Sequence, residues 1–149
     1  MALVRLHLDT LLRIYAVRIS GLDVNTAVEK ILTGERIDRF RHDLKGPRLK
    51  DTYLKDELSK LADFVWVNET YKVTSGFVHF SDSILKSSNT ADLSSQTLKH
   101  TITVGSDFIT DDDKIIACTQ MKKITQGILG FIDSWLKFGQ SRGSSKAPD

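Results

Sequence analysis

Hydrophobic residues recur at helical spacing from residue 2 to residue 20, on two sides of the predicted helix. One side carries Leu3, Leu6, Ile14 and Val17, and the other carries Val4, Leu8, Leu11, Leu12, Tyr15 and Ile19. Two apolar faces are typical of a helix packed from both sides, so we expect this helix to be central. Between the faces lie Arg5, Asp9 and Arg13, each four residues from the next, which predicts an internal row of ion pairs. The alternative is that the spare arginine charge binds an anion.

Two shorter helices are predicted next. The first covers residues 24–33, with Asp23 or Asn25 as its cap and Gly34 as its stop. The second is short and has Asp51 as its candidate cap. One face of this second helix carries Leu54, Leu58 and Leu61.

Residues 64–80 are rich in aromatic and β-branched residues, but they lack the alternation of a strand. On a helical wheel the polar residues gather on one side, and we therefore predict a helix. This polar face consists of Asn68, Tyr71, Lys72, Ser75, His79 and Asp82.

The rest of the chain predicts a loop, a short extended segment and a long helix. Residues 81–96 are rich in Ser, Asp and Asn and predict the loop, whereas 97–104 alternate as in a strand. The strand could be an extended arm, half of a hairpin or a dimer contact. Thr110 and the three aspartates after it predict the start of a helix to about Phe138. Its candidate core residues are Ile115, Cys118, Ile124, Ile128, Phe131, Ile132 and Trp135.

These elements predict a mainly α, bundle-like single domain over residues 1–138, with a short β or extended element near 97–104 and a flexible tail over 139–149. A length of 149 residues suits one domain with a real core. A first helix without a cap is compatible with a domain from a longer protein.

The composition is that of an ordinary globular protein with a net charge of only +2. The single cysteine, Cys118, suits a reducing compartment, and we expect it to be a small buried hydrophobe. The histidines show no metal-ligand spacing, and there is no phosphate-binding glycine motif. We therefore expect a cytoplasmic protein with no metal, no cofactor and no membrane span.

The polar face of residues 64–80 is the first candidate site. Tyr71, Ser75 and His79 stack at intervals of four residues, with Lys72 beside them. A histidine can act as an acid or base near neutral pH, and a lysine can stabilise developing negative charge, which would suit RNA cleavage. The alternative is structural: the same side chains would hydrogen-bond to Arg5, Asp9 or Arg13 on the first helix.

The second candidate site is the segment from Arg36 to Lys50, where six basic residues outnumber two aspartates. Gly46-Pro47 breaks the segment. Phosphate contacts together with stacking on Phe40 would suit single-stranded RNA, whereas the alternative is an ordinary solvated helix face. The basic residues are Arg36, Arg39, Arg41, Lys45, Arg48 and Lys50.

Three sequence runs resemble a group of uncharacterised bacterial helical proteins: LVRLHLDTLLRIYA, KDTYL and the Tyr-x3-Ser-x3-His-Phe-Ser run from Tyr71 to Ser81. More distantly, the helical layout resembles the HEPN superfamily, whose members are often dimeric ribonucleases of toxin and defence systems. In that family an arginine precedes the histidine by four to six intervening residues. Here Lys72 holds such a position before His79, and lysine lacks the planar fork of arginine.

Two functions are therefore expected. The first is a binding or interaction domain, oligomeric, with RNA or protein as its partner. The second, implied by the HEPN resemblance, is a metal-independent ribonuclease. In it His79 would be the acid and base, Lys72 would stabilise the phosphate, and Tyr71 and Ser75 would position the substrate.

Overall fold

The structure, a computed structural model, describes residues 1–76, 89–92, 97–100 and 110–143, and describes side chains for 1–76 and 110–137. The predicted mainly α architecture is confirmed. The α-helices are α1 (Ala2–Ile19), α2 (Val24–Leu32), α3 (Asp51–Leu58), α4 (Val67–Ser75) and α5 (Asp111–Gly143). Short 3₁₀ turns lie at Ile37–Arg39, His42–Leu44 and Ala62–Phe64. The strands are β1 (Asn89–Asp92) and β2 (Thr97–His100).

Helix α1 is the centre of the fold, as predicted. It packs against α3, α4 and α5, and it contacts α2 near its end. Its fully buried side chains include Leu8, Leu11 and Leu12. The prediction that α1 is covered on both sides is wrong for its first turns, because Leu3 and Leu6 are exposed.

Local capping rules hold at both ends of α2, whereas α1, α3 and α4 begin without a side-chain cap. Asp23 caps α2 by accepting from the amides of Asn25 and Thr26, at 3.1 and 2.9 Å, and Gly34 follows the helix with a positive φ of 91°. Asp51 is not a cap. It is the first residue of α3, and Lys50 holds the cap position without a side-chain hydrogen bond.

Helix α5 begins with the predicted Thr110 cap. The Thr110 hydroxyl accepts from the Asp113 amide at 3.1 Å, and the Asp113 carboxylate accepts from the Thr110 amide at 3.0 Å and its hydroxyl at 2.7 Å. These hydrogen bonds lower the pKa of Asp113. The helix runs to Gly143, so it continues past the predicted end at Phe138 into the predicted tail.

The predicted core of α5 is correct at Ile124 and Phe131, which are buried. It is wrong at Ile115, Ile132 and Cys118, which are exposed. The physical reason is that α1 covers only one side of α5, and these three side chains lie on the other side.

The extended element is half of a hairpin, one of the three alternatives that the sequence allowed. β1 and β2 pair antiparallel, with Asn89 opposite His100 and Asp92 opposite Thr97. The loop predicted over 81–96 is therefore wrong at 89–92, because cross-strand pairing there overrides a composition typical of loops. The remainder of that predicted loop lies outside the described residues.

Two glycines of α5 provide a matched test of this packing. A Cβ atom at Gly127 would lie 2.7 Å from Phe64 Cε1 and 3.2 Å from Leu11 Cδ1, whereas one at Gly130 meets nothing within 4 Å. We expect Gly127→Ala to lower the free energy of unfolding by about 1–3 kcal/mol through overpacking. Gly130→Ala should raise it by up to about 1 kcal/mol through helix propensity. Urea denaturation of both variants measures the difference, and equal effects would contradict the packing described here.

Candidate functional site

Arg5 is the only buried charged side chain among the described residues, and it joins α1 to α4. Its guanidinium lies over the ring of Tyr71, 3.6 Å from the centroid. Its Nη1 donates to Ser75 Oγ at 2.8 Å, and its Nε donates to Asp9 Oδ1 at 3.0 Å. The polar face of α4 therefore meets the polar row of α1, as the structural alternative predicted for Tyr71 and Ser75.

The hydroxyl of Ser75 is fully used by this arrangement. It accepts from Arg5 and donates to the carbonyl of Tyr71 at 2.6 Å. Because the hydroxyl proton is held by a backbone carbonyl four residues earlier, it is turned away from any incoming substrate. Ser75 and Tyr71 thus hold Arg5 in place.

The environment keeps Arg5 ionised. Burial by itself lowers its pKa, but hydrogen bonds to Tyr71 and Asp9 outweigh burial and raise the pKa above its ordinary value. A buried guanidinium requires such partners, since an unpaired charge inside a protein is strongly destabilising.

Two other residues of the predicted polar face, Lys72 and Asn68, are not part of this cluster. Lys72 is exposed and belongs to the solvent side of α4. The Asn68 amide donates to Ser59 Oγ at 2.8 Å, so Asn68 joins α4 to the end of α3. His79 and Asp82 lie outside the described residues.

The row of ion pairs predicted along α1 forms only in its first half. Arg13 pairs with Asp51 at the start of α3, with 2.6 Å between Nη2 and Oδ1. This contact between helices takes the place of the expected pairing with Asp9. Arg13 Nη1 is buried and has no hydrogen-bond acceptor among the described residues.

Arg13 lies in an open cleft of about 590 Å³ at the start of α3. Arg36 and Lys50, the two ends of the basic segment, also line this cleft. Arg36 is held by a bidentate pair with Asp38, at 3.1 and 2.8 Å. Sequence reasoning missed this cleft, because nothing in the pattern indicated that Arg13 of α1 would meet both ends of segment 36–50.

The basic segment is a folded loop with two 3₁₀ turns, so the predicted alternative of a solvated helix face is wrong about the helix, although the basic side chains are exposed as it expected. Phe40 and Leu49 are 4% and 0% exposed and anchor the loop in the core, with the Leu49 amide donating to the Phe40 carbonyl at 2.9 Å. The predicted stacking role of Phe40 is therefore wrong as well. Gly46 is required at the turn, because a Cβ atom there would lie 2.7 Å from the carbonyl oxygen of His42.

The loop brings two arginines face to face. Arg41 and Arg48 are partners in an antiparallel β-bridge, the position in which side chains of like charge repel. Arg41 Nη1 donates to the Gly46 carbonyl at 3.1 Å, which keeps its side chain along the loop. All six basic residues predicted as a polyanion site are exposed. Within the described structure only Arg36 of the six has a carboxylate partner.

A second cleft, of about 600 Å³, lies between α5 and the segment before α4. One wall of this cleft is mostly aromatic and consists of Phe64, Trp66 and Phe131. The cleft is also lined by Gly127 and Gly130, which have no side chains to fill it. Sequence reasoning missed this cleft too. The available signal was the pair of glycines three residues apart inside a long helix.

No known protein family, curated protein or solved structure matches this chain. The resemblance to uncharacterised bacterial helical proteins and to the HEPN superfamily therefore stays a prediction. Among the described residues, no three His, Cys, Asp or Glu side chains are grouped as metal ligands. No helix in that part of the chain is both long and apolar enough to cross a bilayer.

Two serines test whether the Arg5 cluster stabilises the fold. Ser75 and Ser134 each accept a hydrogen bond from an arginine of α1, Ser75 from buried Arg5 and Ser134 from exposed Arg18 at 3.0 Å. We expect Ser75→Ala to lower the free energy of unfolding by about 1–3 kcal/mol, because a buried charged donor loses its acceptor. Ser134→Ala should change it by less than about 0.5 kcal/mol. Thermal and urea denaturation distinguish the two, and a neutral Ser75→Ala would contradict a scaffold role.

Proposed function

We propose that this protein is a non-enzymatic binding domain that holds the phosphate backbone of single-stranded RNA on its basic loop, residues 36–50. The observation that carries the proposal is the exposure of five cationic side chains without carboxylate partners among the described residues. They are Arg39, Arg41, Lys45, Arg48 and Lys50.

The placement of Arg41 opposite Arg48 supports this function. Repulsion between the two guanidinium groups raises the free energy of the unbound protein, and a phosphate near both side chains would offset this repulsion. Phe40 and Leu49 anchor the loop in the core, and Arg41 adds one hydrogen bond to the Gly46 carbonyl within the loop. Cations on a rigid loop lose little conformational entropy on binding, which favours affinity.

The cleft beside the loop supplies a further phosphate contact. Arg13 Nη1 is a buried donor without an acceptor among the described residues, and Lys50 lies beside it. Asp51 holds the other guanidinium nitrogen of Arg13, so this donor is fixed in position. Because Arg13 Nη1 is covered, the exposed Lys50 would be the group that contacts a phosphate oxygen in the cleft.

The chemistry of the loop favours contacts to the backbone over contacts to bases. The Phe40 ring is buried and cannot stack on a base, and the His42 ring is held against Tyr53, with 2.7 Å between His42 Nδ1 and the Tyr53 hydroxyl. Contacts to phosphate determine position and carry no sequence information, so we expect binding with little sequence preference.

Titration of a fluorescent single-stranded RNA against salt concentration tests the proposal. We expect the logarithm of the affinity to fall linearly with the logarithm of salt concentration. Arg41→Gln and Arg48→Gln should each weaken binding and reduce the salt slope by about 0.7–1. Lys114→Gln on α5 removes the same charge from an exposed residue far along the chain, and it should change neither quantity.

The proposal fails if RNA affinity is independent of salt, or if Lys114→Gln weakens binding as much as the two loop variants do. The second result would mean that net charge, and not this loop, attracts the RNA.

The ribonuclease hypothesis is less well supported, because Ser75 and Tyr71 are engaged with Arg5 and only Lys72 and His79 remain for chemistry. We expect RNA to remain intact when it is incubated with the purified protein in EDTA. Gel analysis of RNA incubated with wild type and with His79→Ala tests this expectation. Cleavage by wild type that disappears in His79→Ala, at an unchanged melting temperature, would establish the ribonuclease and refute the non-enzymatic proposal.

A further inference from the structure

Helix α5 carries two parallel rows of residues, each with a seven-residue repeat. The inner row is Ala117, Met121, Ile124, Ile128, Phe131 and Trp135, which pack into the core with α1. The outer row is Ile115, Cys118, Lys122, Thr125, Leu129, Ile132 and Leu136, spaced alternately by three and four residues. This outer spacing is the a and d pattern of a coiled-coil seam, and it spans three heptads.

The outer row is mostly apolar, and its large apolar members are exposed. Ile115, Leu129 and Leu136 are 62%, 58% and 63% exposed, and Ile132 is 38% exposed. Residues 115–136 extend over about 32 Å of helix. A row of this length on the surface of one chain is typical of an interface with another helix.

The polar members of the outer row are compatible with burial. The Thr125 hydroxyl donates to the Met121 carbonyl at 2.9 Å and is 2.9 Å from His7 Nε2, so it needs no further partner. Lys122 is the only charged residue of the row. A single lysine at an a position is a known determinant of register, since its long stem can cover apolar surface while the ammonium reaches water.

We propose that the outer row of α5 binds the outer row of a second copy of this chain, with the two helices antiparallel. In this register Ile115 of one copy packs against Ile132 of the other, and Cys118 packs against Leu129. Lys122 then lies beside Thr125 at the centre, so both polar residues share one layer and these apolar pairs lie on either side. Leu136 lies opposite Asp111 at the outer edge of the seam. The interface is self-complementary, as a two-fold dimer requires. It is independent of RNA binding by the basic loop.

The charges of α5 favour the antiparallel orientation. The helix begins with Asp111, Asp112 and Asp113, all exposed, and carries the exposed Lys137 near its other end. Antiparallel pairing places the acidic end of each copy near Lys137 of the other, which also pairs with Asp133 of its own helix, and it aligns the helix dipoles favourably. Parallel pairing would instead place Lys122 against Lys122 and the aspartates against the aspartates.

Sedimentation equilibrium with a matched pair of variants tests whether the outer row of α5 forms the dimer interface. We expect the wild type to dimerise and Leu129→Glu to be monomeric, because a carboxylate would be buried in the seam. Leu32→Glu, at an 82% exposed leucine on α2, should dimerise like the wild type. Circular dichroism confirms that both variants fold. A wild type that is monomeric at every concentration, or a dimer that survives Leu129→Glu, would overturn the proposal.

The central lysine tests the register. We expect Lys122→Leu to tighten dimerisation by at least about tenfold, since an apolar side chain replaces the one charge in the seam. Lys123→Leu, one residue outside the row, should leave the dissociation constant within about threefold of wild type. Equal effects of the two variants would mean that added hydrophobicity, and not the seam, drives association.

The orientation is tested by disulfide trapping under mild copper-catalysed oxidation. In the antiparallel register the two Cys118 residues are about 16 Å apart along the axis, too far to bridge. Wild type should therefore remain uncrosslinked, whereas Leu129→Cys should form a covalent dimer through residue 118 of one copy and residue 129 of the other. A covalent wild-type dimer through Cys118 would overturn the antiparallel arrangement.

Discussion

The burial of α1 is the constraint on which the rest of the structure depends. Leu8, Leu11 and Leu12 of this helix are completely covered, because α3, α4 and α5 all pack on it. The same face buries Arg5, and a charge in that position must be given partners. Tyr71 and Ser75 of α4 and Asp9 of α1 supply them. The positions of Tyr71 and Ser75 on α4 are thus explained by the charge on α1.

The cationic side chains fall into two groups, those that have a carboxylate partner and those that do not. Carboxylates hold Arg5, Arg13 and Arg36, the arginines at the junctions between elements. The loop between Arg36 and Lys50 is left with cations on a rigid frame that Phe40 and Leu49 anchor. The outer row of α5 is mostly apolar and belongs to a different element. The two binding surfaces that we propose, the loop for RNA and the outer row for a second copy, therefore differ in chemistry and lie on separate elements.

Local rules predicted the fold well where the relevant interactions are near in sequence. Asp23, Gly34 and Thr110 act at the helix ends as their chemistry requires, and the helical spacing of residues 2–20 identified the central helix. Local rules failed where contacts between residues far apart in the sequence determine the structure. Lys50 precedes α3 where Asp51 was expected to cap it, and residues 89–92 form a strand by pairing with 97–100. Phe40 was expected to stack on a base but is buried, and Cys118 was expected in the core but is exposed.

For the candidate sites, the sequence by itself determined which chemical groups exist and which of them share a helix face, because these follow from composition and from a periodicity of 3.6 residues. It identified the basic segment and the pairing of Arg5 with Asp9. Only the tertiary structure decided that Arg13 turns to Asp51, that Arg41 meets Arg48, and that α1 covers one side of α5 and leaves the other exposed. The physical reason is that partners distant in the chain are chosen by packing, and packing depends on every element at once.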